Sequence, residues 1–218
     1  MPDFSLEGRV AIITGGAGLL GARHAEAIVS AGGIPVLADI RREDAEARAA
    51  EIARTSGGRV MGLGCDVTKA ESIEALLETV LARLGRVDIL VNNAANNPKV
   101  EAPGQSFSRL ERFPIDQWNA DLAVGLTGPF LCARIVGGVL AAQKRGVIVN
   151  ISSEYGMIAP DQRLYLREGV PPEEQPVKPV TYSVVKAGLH GLTLYLSTYW
   201  ADVNVRVNTI SLGSLAPT

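Results

Sequence analysis

A regular alternation of short apolar runs with longer amphipathic patterns constrains the fold most. The apolar runs are Val10–Ile13, Ile34–Asp39, Val60–Cys65, Asp88–Asn92, Val147–Ser152 and Val205–Ile210. Most are continuously apolar, as strands of a parallel sheet are when helices cover both faces. The helical patterns are Leu19–Ala31, Glu43–Ser56, Glu71–Leu84, Ile115–Lys144 and Thr181–Trp200. Because parallel strands joined by helices take right-handed crossovers, this alternation predicts a doubly wound α/β sheet. Gly32, Gly57, Gly85 and Gly146 follow helical patterns, where C-terminal caps belong.

The composition narrows the class of protein. The chain has 218 residues, the size of one domain, and we expect residues 1–218 to form a single one. Its formal net charge of −2 shows no excess of positive charge of the kind that proteins use to bind nucleic acid or an anionic membrane. Cys65 and Cys132 are too few and too far apart for a disulfide framework or a metal site. With no signal-peptide pattern at the N-terminus, these features predict a cytoplasmic protein that binds no metal.

Two long connections interrupt the alternation. Asn96–Pro114 follows the fourth strand, and the proline-rich stretch Met157–Val180 follows the fifth. Long connections inside a compact domain are typical of functional loops, and both leave the sheet edge at which open α/β sheets bind ligands. We call Met157–Val180 the lid segment and expect it to cover a substrate.

The stretch "AIITGGAGLLGAR" contains two overlapping glycine patterns, Gly16-x-Gly18-x-x-Gly21 and Thr14-Gly15-x-x-Gly18-x-x-Gly21. It follows a strand and opens a helix, which is the context that a dinucleotide-binding loop requires. Glycines let the backbone approach a pyrophosphate, whose charge the positive end of the helix dipole favours. The loop therefore predicts a Rossmann-type nucleotide site.

Asp39 indicates which dinucleotide is preferred. It ends the second strand, about 20 residues after the glycine loop, where a carboxylate accepts hydrogen bonds from the adenosine ribose. A carboxylate there also repels a 2′-phosphate, which favours NAD over NADP. Arg41 and Arg42 lie close by and weaken this preference, because arginines accommodate that phosphate.

Tyr182-x-x-x-Lys186 places a phenol and an ammonium on one face of a helix. A free tyrosine has a pKa near 10, and a neighbouring positive charge favours the phenolate. The strand pattern "VIVNISS" delivers Ser152 and Ser153 to the same edge of the sheet. These residue types suit proton transfer to or from a substrate oxygen.

Seven short motifs follow one another across nearly the whole chain, in the order "TGGAGLLG", "LAD", "CDVT", "NNAA", "NISS", "YSVVK" and "VRVNTISLG". With them the chain resembles the classical short-chain dehydrogenase/reductase family. The resemblance implies an NAD(P)-dependent oxidoreductase that transfers hydride between C4 of a nicotinamide and a carbinol carbon. It also implies a homo-oligomer, either a dimer or a tetramer.

The resemblance assigns roles to individual positions. Ser153 would hydrogen-bond the substrate oxygen, Tyr182 would be the general acid and base, and Lys186 would tune Tyr182 and bind the nicotinamide ribose. Ser152 and His190 are interpreted as structural. The implied cofactor-binding positions are Thr14, Gly15, Gly18, Leu19, Leu20, Gly21, Asp39, Asp66, Val67, Asn93, Ala94, Tyr182 and Lys186.

Four departures from the family pattern bear on function. Leu19 replaces the middle glycine of the loop, and the resulting spacing occurs in sugar-nucleotide epimerases and dehydratases. Gly125 stands where the family has a catalytic asparagine, so we expect a slower or altered proton relay. The lid segment is longer than usual, which favours a sugar-like substrate. The given sequence ends at "SLGSLAPT", before the family's substrate-covering helix and last strand, so we expect the fold of this sequence to lack both elements.

The lid region supplies polar side chains that suit a polyhydroxylated or charged substrate. They are Glu154, Asp161, Gln162, Arg163 and Tyr165. Two alternatives to a simple oxidoreductase remain open at this point. One is an epimerase or dehydratase that recycles tightly held NAD, and the other is a non-catalytic NAD-binding partner subunit.

Overall fold

The computed structural model describes residues 4–96 and 108–213, which form one six-stranded parallel sheet with helices on both faces. The strands run in the order β3-β2-β1-β4-β5-β6. Their bounds are β1 Val10–Thr14, β2 Ile34–Asp39, β3 Met61–Gly64, β4 Ile89–Asn92, β5 Gly146–Ser153 and β6 Val205–Leu212. All six predicted strands are present, and the predicted doubly wound α/β fold is confirmed. The strand order reverses between β1 and β4, which is where such sheets bind ligands.

In the described residues, six α-helices connect the strands: α1 Leu19–Ser30, α2 Arg42–Ser56, α3 Ala70–Leu84, α4 Ile115–Leu122, α5 Gly128–Ala142 and α6 Val180–Tyr199. Helices α1 and α2 bury alanines and isoleucines against one face of the sheet. Helices α3 and α5 and the end of α6 share the larger core on the other face. No described helix covers β6 on the α1–α2 face, where Ile210 is 46% exposed.

Glycines end two helices as predicted. Gly57 and Gly85 take left-handed conformations, with φ of 69° and 75°, at the C-terminal caps of α2 and α3. Gly32, with φ of 87°, follows the end of α1. The prediction for Gly146 is wrong, because that residue begins β5. Lys144 adopts the left-handed conformation after α5 instead, with φ of 53°.

The helix predicted over Ile115–Lys144 is present as the helical stretch Ile115–Ala142, but it is not α-helical throughout. A five-residue π-helical segment, Ala123–Thr127, separates α4 from α5. Pro129, the second residue of α5, has no N–H to donate to the carbonyl of Gly125, so the regular hydrogen-bond ladder cannot continue there. The π-helical segment therefore divides one apolar helical stretch into α4 and α5.

Ile115–Ala142 is the one described helical stretch long and apolar enough to cross a membrane by length and composition. Its apolar character has another explanation in this fold. Cys132, Val136 and Leu140 of α5 are at most 2% exposed and belong to the core beneath the sheet. The α5 part of the stretch therefore contributes to the core of the fold.

Candidate active site

The carboxyl ends of the strands and the lid segment enclose one cleft of about 880 Å³. That volume lies within the usual range of small-molecule sites. The predicted positions that line it are Gly15, Gly18, Leu19, Leu20, Asp39, Asp66, Val67, Asn93, Ala94, Ser153, Tyr182 and Lys186. Thr14, at the end of β1, and Gly21, in α1, were also expected to bind the cofactor but do not line the cleft. The structure therefore brings the expected nucleotide and proton-transfer residues into one cavity.

The glycine loop forms a cradle that a side chain would fill. Gly15 has φ of 62°, and a Cβ there would lie 2.9 Å from the Cα of Ala94. A Cβ on Gly21 would overlap the carbonyl oxygen of Gly15. Gly18 caps α1, whose N-terminus carries the positive end of the helix dipole. A backbone this open beside a helix N-terminus fits a dinucleotide pyrophosphate.

Thr14 and Asn93 lock the loop to the neighbouring strand. The Thr14 Oγ1 accepts hydrogen bonds of 3.0 Å from the backbone N–H groups of Asn93 and Ala94. The Asn93 side chain donates to the carbonyl oxygens of Thr14 and Gly15, at 2.9 and 3.1 Å. These bonds cross the point where the strand order reverses, and they hold the cradle open on its β4 side.

Asp39 faces the nucleotide end of the cleft from the end of β2. Its Oδ2 accepts a 3.2 Å hydrogen bond from the backbone N–H of Ala17 in the glycine loop. The neighbouring arginines are paired with acids of their own helix, Arg41 with Asp44 at 2.6 Å and Arg42 with Glu46 at 2.7 Å. Asp39 and Arg41 both line the cleft, and each of the two guanidinium groups has a nearby carboxylate partner.

Asp66 follows β3 and is oriented by a short turn. Its Oδ1 accepts hydrogen bonds from the backbone N–H and the hydroxyl of Thr68, at 3.0 and 2.6 Å. The hydroxyl bond is the main reason that the pKa of Asp66 is lowered. Asp66 and Val67 line the same end of the cleft as Asp39. Their placement suits contact with an adenine base.

The end of β5 gives its two serines different surroundings. The Ser152 Oγ donates a 2.8 Å hydrogen bond to the carbonyl oxygen of Lys186 and lies 3.2 Å from the His190 Nε2. Ser153 is 6% exposed, lines the cleft, and accepts a hydrogen bond from the backbone N–H of Tyr155. Both serines line the cleft, and Ser152 together with His190 also joins the sheet to α6.

Gly156 permits the turn after Ser153 to lie directly on α6. A Cβ at Gly156 would be 2.7 Å from the carbonyl carbon of Lys186. This close approach keeps the short 3₁₀ helix Glu154–Gly156 against the backbone that carries Lys186.

Lys186 is buried beneath Tyr182 on α6. It is 8% exposed, and its Nζ donates a 2.8 Å hydrogen bond to the carbonyl oxygen of Ile151. Burial, aided by the positive charge of Lys178, lowers the pKa of Lys186 to about 8. Its Nζ lies 5.8 Å from the centroid of the Tyr182 ring. A phenol, an ammonium and the Ser153 hydroxyl in one cleft can bind a substrate oxygen and exchange its proton.

Sequence reasoning missed two side chains that contact Tyr182. The ring of Tyr155 packs edge-on against it, with centroids 6.4 Å apart. The Nζ of Lys178 lies 3.8 Å from the centroid of the Tyr182 ring. Tyr155 stands two residues after the recognised serine motif and Lys178 four residues before Tyr182, but neither spacing by itself indicates a contact with the Tyr182 ring.

The lid segment folds on its own polar contacts. The Gln175 side chain accepts a hydrogen bond from the Arg167 N–H and donates to the carbonyl oxygens of Arg167 and Val170. Among the expected polar contacts, Glu154 and Tyr165 line the cleft. Burial, with a contribution from the Tyr155 hydroxyl, raises the pKa of Tyr165 to about 12.

Three other expected contacts of the lid region do not line the cleft. Asp161 and Arg163 form an exposed ion pair with each other, at 2.8 Å. Gln162 accepts a 2.8 Å hydrogen bond from the backbone N–H of Lys178. These side chains shape the lid segment, and they leave the lining of the cleft to others.

Gly125 lies against α6 at the position of the family asparagine. A Cβ there would be 2.5 Å from the Val185 Cγ1, so Val185 occupies the space that a side chain would need. A buried carboxylate stands one turn earlier. Asp121 accepts hydrogen bonds from Thr181, Gln117 and Asn96.

Comparisons with known proteins show what the sequence and the fold are similar to. A sequence model of the short chain dehydrogenase family matches residues 9–165. D-Threitol dehydrogenase of Mycolicibacterium smegmatis is 35% identical over 209 residues, which are 96% of this chain and 71% of that protein. An NADP-dependent mannitol dehydrogenase of Alternaria alternata is 33% identical, with coverage of 96% and 71%. The crystal structure of an NAD⁺-bound xylitol dehydrogenase superimposes with a TM-score of 0.82 at 26% identity, covering 97% of this chain and 72% of that one.

Proposed function

Because the chain belongs to the short-chain dehydrogenase family, we propose that it is an NAD-dependent oxidoreductase acting on a hydroxyl group of a polyhydroxylated, sugar-like substrate. One observation carries this proposal. Ser153, Tyr182 and Lys186 line the same cleft as the glycine loop and Asp39, so a substrate hydroxyl and a dinucleotide can meet there.

Tyr182 takes the proton of the substrate hydroxyl during oxidation and returns it during reduction. Ser153 holds the substrate oxygen through its hydroxyl, which is fixed at the end of β5. The ammonium of Lys186 stabilises negative charge on the phenol and binds the nicotinamide ribose. The bound nicotinamide supplies the hydride acceptor. The lid segment excludes water from the reacting groups.

Asp39 supports NAD as the preferred cofactor. Its carboxylate lines the cleft where the adenosine ribose belongs and would repel a 2′-phosphate. Arg41 also lines the cleft, and its exposed ion pair with Asp44 offsets only part of its attraction for that phosphate. Polyol dehydrogenases among the relatives use either cofactor, so this choice depends on the side chains of this chain.

The polar lining supports a polyhydroxylated substrate. Tyr155, Tyr165 and Glu154 add two phenols and a carboxylate to the Ser153 end of the cleft. Hydroxyl and carboxylate groups at that density suit a ligand that donates and accepts several hydrogen bonds. The relatives named for threitol, mannitol and xylitol act on molecules of this kind.

Assembly and location are also part of the proposal. Leu194, Tyr195 and Tyr199 of α6 are more than 60% exposed, and the two tyrosine rings stack on each other. An apolar helical face of this kind supports a homo-oligomer, either a dimer or a tetramer. Cys65 and Cys132 are free and buried, as suits a reducing cytoplasm.

A spectrophotometric screen for NADH formation across alditols, aldoses and aldonates tests the function. We expect at least one substrate to be oxidised, with Tyr182→Phe lowering kcat by roughly 100-fold or more. Tyr199→Phe, the same change on the exposed face of α6, serves as the control and retains activity. Nucleotide retained through purification without net NADH formation would favour an epimerase or dehydratase instead. NAD binding without turnover of any substrate would indicate a binding subunit.

A further inference from the structure

Lys178 is a second lysine at the reacting end of the cleft. It belongs to the lid segment, lines the cleft, and places its Nζ 3.8 Å from the centroid of the Tyr182 ring. Its backbone N–H is held by the Gln162 side chain at 2.8 Å. The lid segment therefore positions this ammonium directly beside the phenol.

The Lys178 ammonium has lost water without gaining an acidic partner. The side chain is half-buried, and burial lowers its pKa. Across residues 4–96 and 108–213, no carboxylate lies within ion-pair distance of its Nζ. By contrast, Arg9 and Arg86 share Asp88, and Arg163 pairs with Asp161. A desolvated cation facing a ligand cleft is costly to the fold, and an anionic ligand offsets that cost.

The charged groups around this end of the cleft leave positive charge in excess. Lys186 contributes a second ammonium from α6, and Glu154 contributes one carboxylate from the turn after β5. The Glu154 carboxylate lies toward Gly213 at the end of β6. Asp121 on α4 is occupied by its own donors, one of which is Thr181.

We propose that Lys178 binds an anionic group of the substrate, so that the preferred substrate is a polyhydroxylated carboxylic acid or a polyol phosphate rather than a neutral polyol. This inference rests on the proposed oxidoreductase function and specifies its substrate class. Carboxylate and phosphate oxygens offer the same chemistry to an ammonium, namely a charge-assisted hydrogen bond. The stacking of Lys178 on Tyr182 places the anionic group close to the hydroxyl that is oxidised.

The test compares neutral and anionic ligands with matched carbon skeletons. Alditols of four to six carbons, the corresponding aldonates and the corresponding alditol phosphates are assayed for NADH formation with wild type, Lys178→Met and Lys178→Arg. We expect kcat/KM to be at least about tenfold higher for one anionic series than for its alditols. Lys178→Met should remove that preference by lowering activity on the anions alone, and Lys178→Arg should retain most of it.

Two controls keep the result specific. Arg163→Met removes one positive charge from the same lid segment but leaves the cleft lining intact, so it should preserve the preference. Calorimetric titration of the NAD-saturated protein with the same ligands measures the preference without turnover. The difference between the two anionic series identifies the carboxylate or the phosphate as the favoured group.

Each remaining outcome bears on a stated claim. Equal or better use of neutral alditols by wild type overturns the role of Lys178. The role of Lys178 is also overturned if Lys178→Met loses activity equally on all substrates and the acidic limb of its pH profile shifts. That result would mean that Lys178 acts on Tyr182 alone. Absence of turnover with every ligand counts against the oxidoreductase proposal. In that case, equal affinity for anions and alditols in the titration would overturn the Lys178 inference separately.

Discussion

The hydroxyl of Thr181 donates a 2.5 Å hydrogen bond to the Oδ2 of Asp121 and so ties the residue before Tyr182 to α4. The Oδ1 of Asp121 accepts further bonds from Gln117 at 2.7 Å and from Asn96 at 3.2 Å. Asp121 is 5% exposed, so one buried carboxylate joins α4, the start of α6 and the loop after β4. The phenol of Tyr182 is positioned through this junction.

Replacing Asp121 with alanine should destabilise the protein and disturb Tyr182. Three donors would lose their shared acceptor, and we expect a loss of about 2–4 kcal/mol in the free energy of unfolding. Urea denaturation measures this loss. Asp116→Ala, on the exposed first turn of the same helix, should cost less than about 1 kcal/mol. Equal effects of the two substitutions would show that Asp121 is an ordinary surface carboxylate.

Burial of the charged Lys186 side chain should lower the free energy of unfolding at neutral pH. Its pKa is about 8 in the folded protein against an ordinary value of 10.5, so between these values the unfolded chain binds more protons. The free energy of unfolding therefore rises between about pH 8 and pH 10.5. Below about pH 8 the protein bears the full cost of burying the protonated lysine. We expect Lys186→Met to raise the free energy of unfolding at pH 7 by about 1–2 kcal/mol while abolishing turnover.

Denaturation at several pH values checks this expectation. The advantage of Lys186→Met over wild type should shrink as the pH approaches 10.5. Lys69→Met, which alters an exposed lysine, should show no such trend. A variant that is less stable than wild type at pH 7 would mean that the bond from the Lys186 Nζ to Ile151 outweighs the cost of burial.

Restoring the family asparagine at position 125 should fail in the native background. The Cβ would lie 2.5 Å from the Val185 Cγ1, and overpacking of this kind costs about 1–3 kcal/mol. Gly125→Asn combined with Val185→Ala should recover at least about 0.5 kcal/mol relative to the sum of the single changes. Gly138→Asn, at an α5 glycine with nothing within 4 Å of its Cβ, is the control.

The activity of the double variant tests the proton relay. If the relay has adapted to Gly125, the recovered stability should come without a gain in kcat. A large gain in kcat or a changed pH profile would show that the missing side chain limits the native protein.

Asp39→Ser should shift cofactor preference toward NADP. Removing the carboxylate removes its repulsion of a 2′-phosphate, and the ratio of kcat/KM for NADP to that for NAD should rise by roughly tenfold or more. Steady-state kinetics with both cofactors measure the ratio. Asp202→Ser, an exposed change far from the cleft, should leave it unchanged. An unaltered ratio in Asp39→Ser would remove the basis for the proposed NAD preference.

The strands and the cleft could be anticipated because their signals are local. Continuous apolar runs predict buried parallel strands, and the carboxyl ends of those strands necessarily share one edge. For the same reason Ser153, Asn93 and Asp39 could be placed at that edge from their positions in the chain alone. The right-handed crossovers predicted a doubly wound sheet, whereas the order of its strands is known only from the structure.

The features that escaped prediction depend on tertiary context. The π-helical segment lies in a stretch whose apolar spacing resembles an ordinary helix. The family pattern marks Gly125, but it gives no sign of the packing of Gly125 against Val185. Lys178 lies in a proline-rich loop, where a lysine is usually solvated. Asp121 stands in an amphipathic pattern that gives no sign of three converging donors. Each needed the fold before its surroundings could be known.

The π-helical segment has a geometric consequence for the α4–α5 rod. Inserting a wider turn changes the angular phase of every side chain beyond it, so the two ends of one nearly continuous rod need not present the same side to the protein. The N-terminal portion can direct Asp121 toward Thr181 while the C-terminal portion directs Cys132 and Leu140 beneath the sheet. If this rod were a regular α-helix throughout, one rotation about its axis could not orient both Asp121 and the core residues Cys132 and Leu140 correctly.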